Sequence, residues 1–124
     1  MSDRDLEFWD ATGKAFREIV NGWPANVRKA VGDDIRRVQR GDEPRNWKPL
    51  TGFAVAAGEV RHKSGARVVY SVAFVKESGK VFIADAFMKD SREKSEMRKD
   101  DRERIKARLK RYKVAYSQQQ KPLH

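Results

Sequence analysis

The apolar positions of this chain change period as it runs. Leu6, Phe8 and Trp9 form a short run that predicts a first strand, interrupted at Thr12 and Gly13. From Lys14 to Val20 the residues Phe16, Ile19 and Val20 share one side of a short helix, which Asn21, Gly22 and Pro24 end. Pro24 suits the start of a second helix, because the first turn has no use for its missing amide hydrogen. In that helix Val27, Val31, Ile35 and Val38 are spaced by four, four and three, which is one amphipathic face, and Gly41 follows as the C-terminal cap. So short a connection makes the two helices a hairpin.

Gly41 to Pro49 reads as a polar connection with two prolines, Pro44 and Pro49. After it the apolar period drops to two. Phe53, Val55 and Ala57 alternate with small residues and the run continues through Glu59 to His62. Ser64-Gly65 marks a turn, and Arg67 to Val75 is rich in the β-branched and aromatic residues that favour strands. Glu77-Ser78-Gly79 marks a second turn before a strand from Val81 to Phe87. Arg92 to Tyr112 is predicted as a helix with Met97, Ile105, Leu109 and Tyr112 as sparse anchors, and the polar segment after Val114 as a frayed tail. The expected architecture is one α+β domain over residues 1–116, followed by a tail over 117–124. An N-terminal strand and a helical hairpin pack on a small, mainly antiparallel twisted sheet, and a charged helix closes the chain. The second face of the sheet is left as the place where a site could open.

Charge changes this picture most. The chain has 28 Lys and Arg against 18 Asp and Glu, a net +10. Residues 1–62 hold 11 basic and 10 acidic side chains, and residues 63–124 hold 17 and 8, so the second half carries +9. Asp101 to Lys113 alone has seven basic residues and two acidic ones. Such a segment attracts polyanions by counterion release and steering, or is simply a solvated helix face with internal ion pairs. If it binds RNA or the ribosome, Arg104, Arg108, Arg111 and Lys113 are the candidate contacts.

Other classes drop out. No apolar run approaches the roughly 20 residues of a membrane span. The acidic N-terminus leads into no apolar segment of the kind a secretory signal needs. Without cysteine there is neither a disulfide nor a thiolate metal site, which is compatible with a reducing cytoplasm. His62, expected in a turn, and His124 have no metal-ligand spacing, and no glycine-rich phosphate loop is present, so no cofactor is expected. What remains is a set of cations at the strand ends: Arg61, Arg67, Lys89, and Lys48 just before the sheet. Fixed cations are what metal-free RNA cleavage needs, since the 2′-hydroxyl attacks the neighbouring phosphate and the pentavalent oxyanion must be stabilised. The competing reading is that Arg61 and Arg67 are edge charges that keep strands from pairing between molecules.

Four short motifs fall in order along the chain: Trp47-Lys48-Pro49-Leu50, Glu59-Val60-Arg61, Arg67-Val68-Val69-Tyr70 and Ala86-Phe87-Met88-Lys89. Val38-Gln39 and Gly41 before Pro44 fit the same pattern. In this the chain resembles the RelE/ParE toxin superfamily, most closely its HigB-like, phage-derived branch, over roughly Glu7 to Tyr112. The resemblance implies a RelE-like fold and the toxin of a type II toxin–antitoxin pair. It further implies a cytoplasmic, ribosome-dependent, metal-free mRNA endonuclease that inhibits translation and is neutralised by a cognate helix-turn-helix antitoxin. It would place Arg67 on the scissile phosphate, with Arg61, Lys48 and Lys89 as supporting cations.

The resemblance is imperfect in the last strand. Where the family pattern has His and a second Lys, this chain has Asp85 and Asp90. A carboxylate, ionised at neutral pH, is a poor general acid and at most a weak base. Asp85 is therefore either part of the catalytic set or a structural partner for an arginine. The departure leaves two further readings open: a ParE-like inhibitor of DNA gyrase, and a descendant that binds RNA or an antitoxin without cleaving.

Overall fold

The computed structural model describes residues 3–65, 68–77, 79–90 and 97–119. Five strands form one sheet in the order β1-β5-β4-β3-β2. They are β1 (Asp5–Phe8), β2 (Trp47–Leu50), β3 (Ala57–Ser64), β4 (Val68–Glu77) and β5 (Lys80–Asp90). β1 runs parallel to β5, and every other pair is antiparallel. Helices α1 (Lys14–Asn21) and α2 (Ala25–Gln39) lie on one face, and α3 (Lys99–Gln119) lies on the other. The α+β architecture is the expected one.

The α1/α2 face is the larger core. Val27, Val31, Ile35 and Val38, the predicted stripe of α2, meet Val60, Tyr70, Val72, Phe74 and Ile83. Gly41, just beyond the α2 C-cap, has φ 95, and its amide bonds to the Val38 carbonyl. Only a residue at ease in the left-handed region ends a helix this way. Arg4 ties the end of α2 to the sheet by donating to the Val38 carbonyl at 2.8 Å and to the Glu77 carbonyl at 2.9 Å.

Four expectations need correction. Trp47–Leu50 is a strand, where the run from Gly41 to Pro49 predicts a polar connection with two prolines. It is an edge strand, where a residue without an amide hydrogen leaves no ladder position unfilled. β3 begins at Ala57, and Phe53 and Val55 pack from a loop against the α3 side. His62 stands inside β3, not in a turn. The chain is helical as far as Gln119, so the segment after Val114 is not a frayed tail there. The expected helical start at Arg92 lies outside the described residues.

The second face of the sheet is also less open than expected. Ile105, Leu109 and Tyr112 of α3 pack on Ala73, Val75, Phe82, Ala84 and Phe87. Tyr112 stacks on Phe82 at a centroid distance of 4.4 Å, and burial raises its phenolic pKa well above the ordinary value. Ile105 and Leu109 have no exposed surface. Truncating Ile105 to alanine should cost about 2–5 kcal/mol, read as a lowered denaturant midpoint with an unchanged slope. With both faces covered over much of their length, β4 and β5 read as continuous apolar runs rather than alternating ones.

Candidate functional site

Register, more than any loop, assembles the site. Lys48 on β2 stands opposite Glu59 on β3, Glu59 opposite Ala73 on β4, and Ala73 opposite Asp85 on β5. Arg61 faces Ser71, and Val69 faces Lys89. Because side chains alternate, Lys48, Glu59, Arg61, Ser71, Asp85 and Lys89 all project to the α3 side of the sheet. They separate into two groups along it.

The first group surrounds Glu59, which is fully buried. Its Oε2 accepts from Ser71 Oγ at 3.1 Å and lies 3.5 Å from Lys89 Nζ and 3.2 Å from Arg61 Nε. The Arg61 contact is an ion pair rather than a hydrogen bond, since Nε does not point its proton at the oxygen. Among the described residues, Glu59 Oε1 is buried without a hydrogen-bond partner. One carboxylate thus sits among several cations. Burial lowers the Lys89 pKa; Glu59 opposes this, and the neighbouring charges of Lys48 and Arg61 reinforce it. Arg61 keeps 30% of its side chain exposed, while Lys89 keeps 2%. Arg61, half-buried with its Nε fully covered, lines a cavity of ≈590 Å³ at the sheet edge.

The second group is built on Asp85. Its Oδ2 accepts from Arg104 Nε at 3.0 Å and from Arg104 Nη2 at 2.6 Å, and its Oδ1 accepts from Arg108 Nη1 at 2.9 Å. Arg108 also donates to the Ala84 carbonyl at 3.1 Å and lies 4.4 Å from the centre of the Trp9 ring. Burial works against the Arg104 cation, but its bonds to Asp85 and Asp101 outweigh it and raise its pKa. Burial lowers that of Arg108 despite Asp85. Both remain charged at any ordinary pH.

The phage-derived Gp49-like protein model (DUF891) matches residues 18–111, well over half of the chain. The chain belongs to the Gp49-like family. That family consists of RelE/HigB-like toxins of toxin–antitoxin systems. No curated protein matches the chain, and no solved structure does. The matched span carries both groups of this Gp49-like protein's site.

Of the residues expected to act together, the structure unites Lys48, Arg61 and Lys89. Arg67 lies outside the described residues. Asp85 does not add its charge to the cation cluster. Four residues of β5 separate it from Lys89, roughly 13 Å at strand spacing, and its oxygens are held by α3. Of the four basic residues expected at an RNA or ribosome contact, Arg104 and Arg108 turn inward to Asp85, whereas Arg111 and Lys113 are exposed. Lys106 and Lys110 are exposed on the same helix. Sequence reasoning missed Glu59 and Ser71 as members of the site. The signal was there for Glu59: two residues apart on a strand, it and Arg61 must share a face.

Among the described residues no helix is long and apolar enough to cross a membrane, and no group of His, Asp and Glu is placed to hold a metal ion.

Proposed function

We propose that this toxin is a metal-free mRNA endonuclease that works on translating ribosomes, with Lys48, Arg61, Lys89 and Arg67 as its phosphate-binding and acid–base set. The observation that supports this best is the convergence of Arg61 and Lys89 on the buried carboxylate of Glu59, with Lys48 opposite it in the strand register. Fixed cations of this kind are placed to neutralise a pentavalent phosphorane without reorganisation. Arg61, half-buried at the cavity wall, supplies a permanently charged guanidinium for the phosphate oxygens. Lys89, with its lowered pKa, is the best proton donor of the set, because a donor works best when its pKa lies nearer the operating pH. Glu59 orients Lys89 and Arg61. The exposed Lys106, Lys110, Arg111 and Lys113 of α3 extend the positive field towards ribosomal RNA. The partner that silences the toxin is taken to be a helix-turn-helix antitoxin encoded beside it.

The test is induced expression with mapping of mRNA ends. Wild-type protein should arrest growth and cut translated messages, and Arg61→Ala and Arg67→Ala should each reduce cutting at least a hundredfold. Growth arrest with intact mRNA would overturn the reading. A second reading, binding of RNA or of gyrase without cleavage, is favoured by one observation: the family's histidine position is a carboxylate locked beneath α3. Intact mRNA together with lost supercoiling activity of gyrase would select the gyrase form.

A further inference from the structure

We propose that the ≈380 Å³ cavity beside the C-terminal half of α2 holds the phosphate backbone of single-stranded RNA, on guanidiniums that take no part in cleavage. The choice of RNA rests on the function proposed above; the anion site itself does not. Arg36, Arg37, Arg40 and Arg45 line the cavity. Arg36 and Arg40 stand one helical turn apart and are exposed, and Arg45 joins them from the connection to β2. Cations at the end of a helix favour its dipole, which accounts for Arg36 and Arg40. It does not account for Arg45, which lies outside the helix.

The charge of this cluster is not spent within the chain. Asp33 and Asp34 are the carboxylates of the wall, against four guanidiniums. Asp34 is buried, and both its oxygens are taken: Oδ1 accepts from the Arg45 amide at 2.8 Å, and Oδ2 bonds His62 Nε2 at 2.8 Å. Among the described residues none of the four guanidiniums forms an ion pair. Arg37 Nε donates to the Glu43 carbonyl at 2.8 Å, which fixes the plane of its fork, and Asp34 pins the backbone of Arg45. Side chains held in this way have less freedom to lose on meeting a ligand. Arginine at all four positions suits the two-pronged geometry of phosphate better than lysine would.

An acidic protein segment is the other polyanion of suitable charge, and the wall argues against it. Ala30 is its one apolar residue among those described, whereas a protein interface is built around an apolar core. Phosphate contacts need no such core. The cavity also shares Arg45, Asn46 and His62 with the ≈590 Å³ cavity that Arg61 lines. The two make one trough over the edge of β3, beyond the Trp47–Val60 pair where β2 begins. A strand laid on α2 is thereby led towards the cation cluster.

The test uses the purified full-length chain and an uncleavable 2′-O-methyl oligouridylate carrying a fluorophore, with binding followed by anisotropy over a range of salt. Arg36→Gln/Arg40→Gln/Arg45→Gln should flatten the slope of log affinity against log salt by about 2 and weaken binding about a hundredfold at 0.1 M salt, the counterion release of three single-strand phosphates. Replacing the same three residues by lysine should keep the slope, because it keeps the charge. Lys14→Gln/Arg17→Gln/Arg28→Gln removes three exposed cations outside both cavities and should leave the slope as it is. Melting curves check folding; if the glutamine triple does not fold, Arg40→Gln and Arg45→Gln alone should each flatten the slope by about 0.7. The proposal is overturned if wild type binds no oligonucleotide, if the glutamine variants keep the wild-type slope, or if the control triple flattens it equally. It is also overturned if a glutamate oligomer of equal charge displaces the RNA as well as unlabelled RNA does, which would make the trough a protein-docking site. Cleavage is scored separately by mapped mRNA ends. Arginine-dependent binding without cleavage sinks the nuclease and leaves the RNA site standing, and cleavage with an unmoved slope sinks the site alone.

Discussion

Asp85→Ala will loosen α3 from the sheet and lower stability by about 3 kcal/mol, the scale of breaking a buried ion pair by removing one partner. For a chain of 124 residues that corresponds to a fall in Tm of about 10 °C. The size follows from what is left behind. Asp85 accepts three charge-assisted bonds from Arg104 and Arg108, and Arg108 has only 17% of its side chain exposed. Arg104 keeps Asp101 as a second partner and is more exposed, so the loss falls mainly on Arg108. Asp85→His, which restores the residue of the family pattern, should also destabilise. A neutral imidazole has one acceptor nitrogen and cannot serve two guanidiniums. It should add no cleavage, because the position faces the underside of α3. Thermal melts of Asp85→Ala, Asp85→His and Asp85→Asn check this, with Asn the mildest because it keeps an acceptor oxygen. A melt unchanged in all three would mean that α3 is held by Ile105, Leu109 and Tyr112 alone.

Much of this architecture is legible from periodicity. The α2 stripe, the long strands and the capping glycine after Val38 all follow from local spacing, because a 3.6-residue or two-residue repeat is imposed by one buried face. What is not legible comes from pairing between distant segments. β2 is short, contains Pro49 and is half exposed, so its strand character comes from β3 beside it rather than from its own residues. The site follows the same division. Lys48, Arg61 and Lys89 stand out as cations at strand ends, but their common neighbour Glu59 becomes visible only when four strands are set in register. Asp85 could be read locally as part of the site. Only the docking of α3, through residues about 20 positions away, shows that its charge is already neutralised. The same docking divides the basic helix into inward arginines and outward cations, a division that its charge count does not reveal.

Lys89→Ala should reduce mRNA cleavage at least a hundredfold, and the pH profile should show why. Burial holds the Lys89 pKa below 10.5, against the pull of Glu59. A lysine that gives its proton to the leaving oxygen must start protonated. Cleavage should therefore be level at low pH and fall as pH rises through the lowered pKa, earlier than an ordinary lysine would allow. Glu59→Gln removes a carboxylate that favours the charged lysine, so the Lys89 pKa drops further and the fall moves to lower pH. Lys89→Arg keeps the positive charge but does not titrate in this range. It should flatten the alkaline fall and leave a slow, charge-only rate. The three profiles separate proton transfer from simple charge stabilisation. If Lys89→Arg keeps full activity and Glu59→Gln leaves the profile unmoved, Lys89 acts only as a cation, and the proton donor is another group. Glu59→Gln also leaves Lys89 buried without its counter-charge, so its melt is measured beside its rate, and only the fraction folded at the assay temperature is counted. A rate that falls in proportion to that fraction, at every pH, would make Glu59 structural. A profile displaced to lower pH at full folding would make it the residue that sets the lysine.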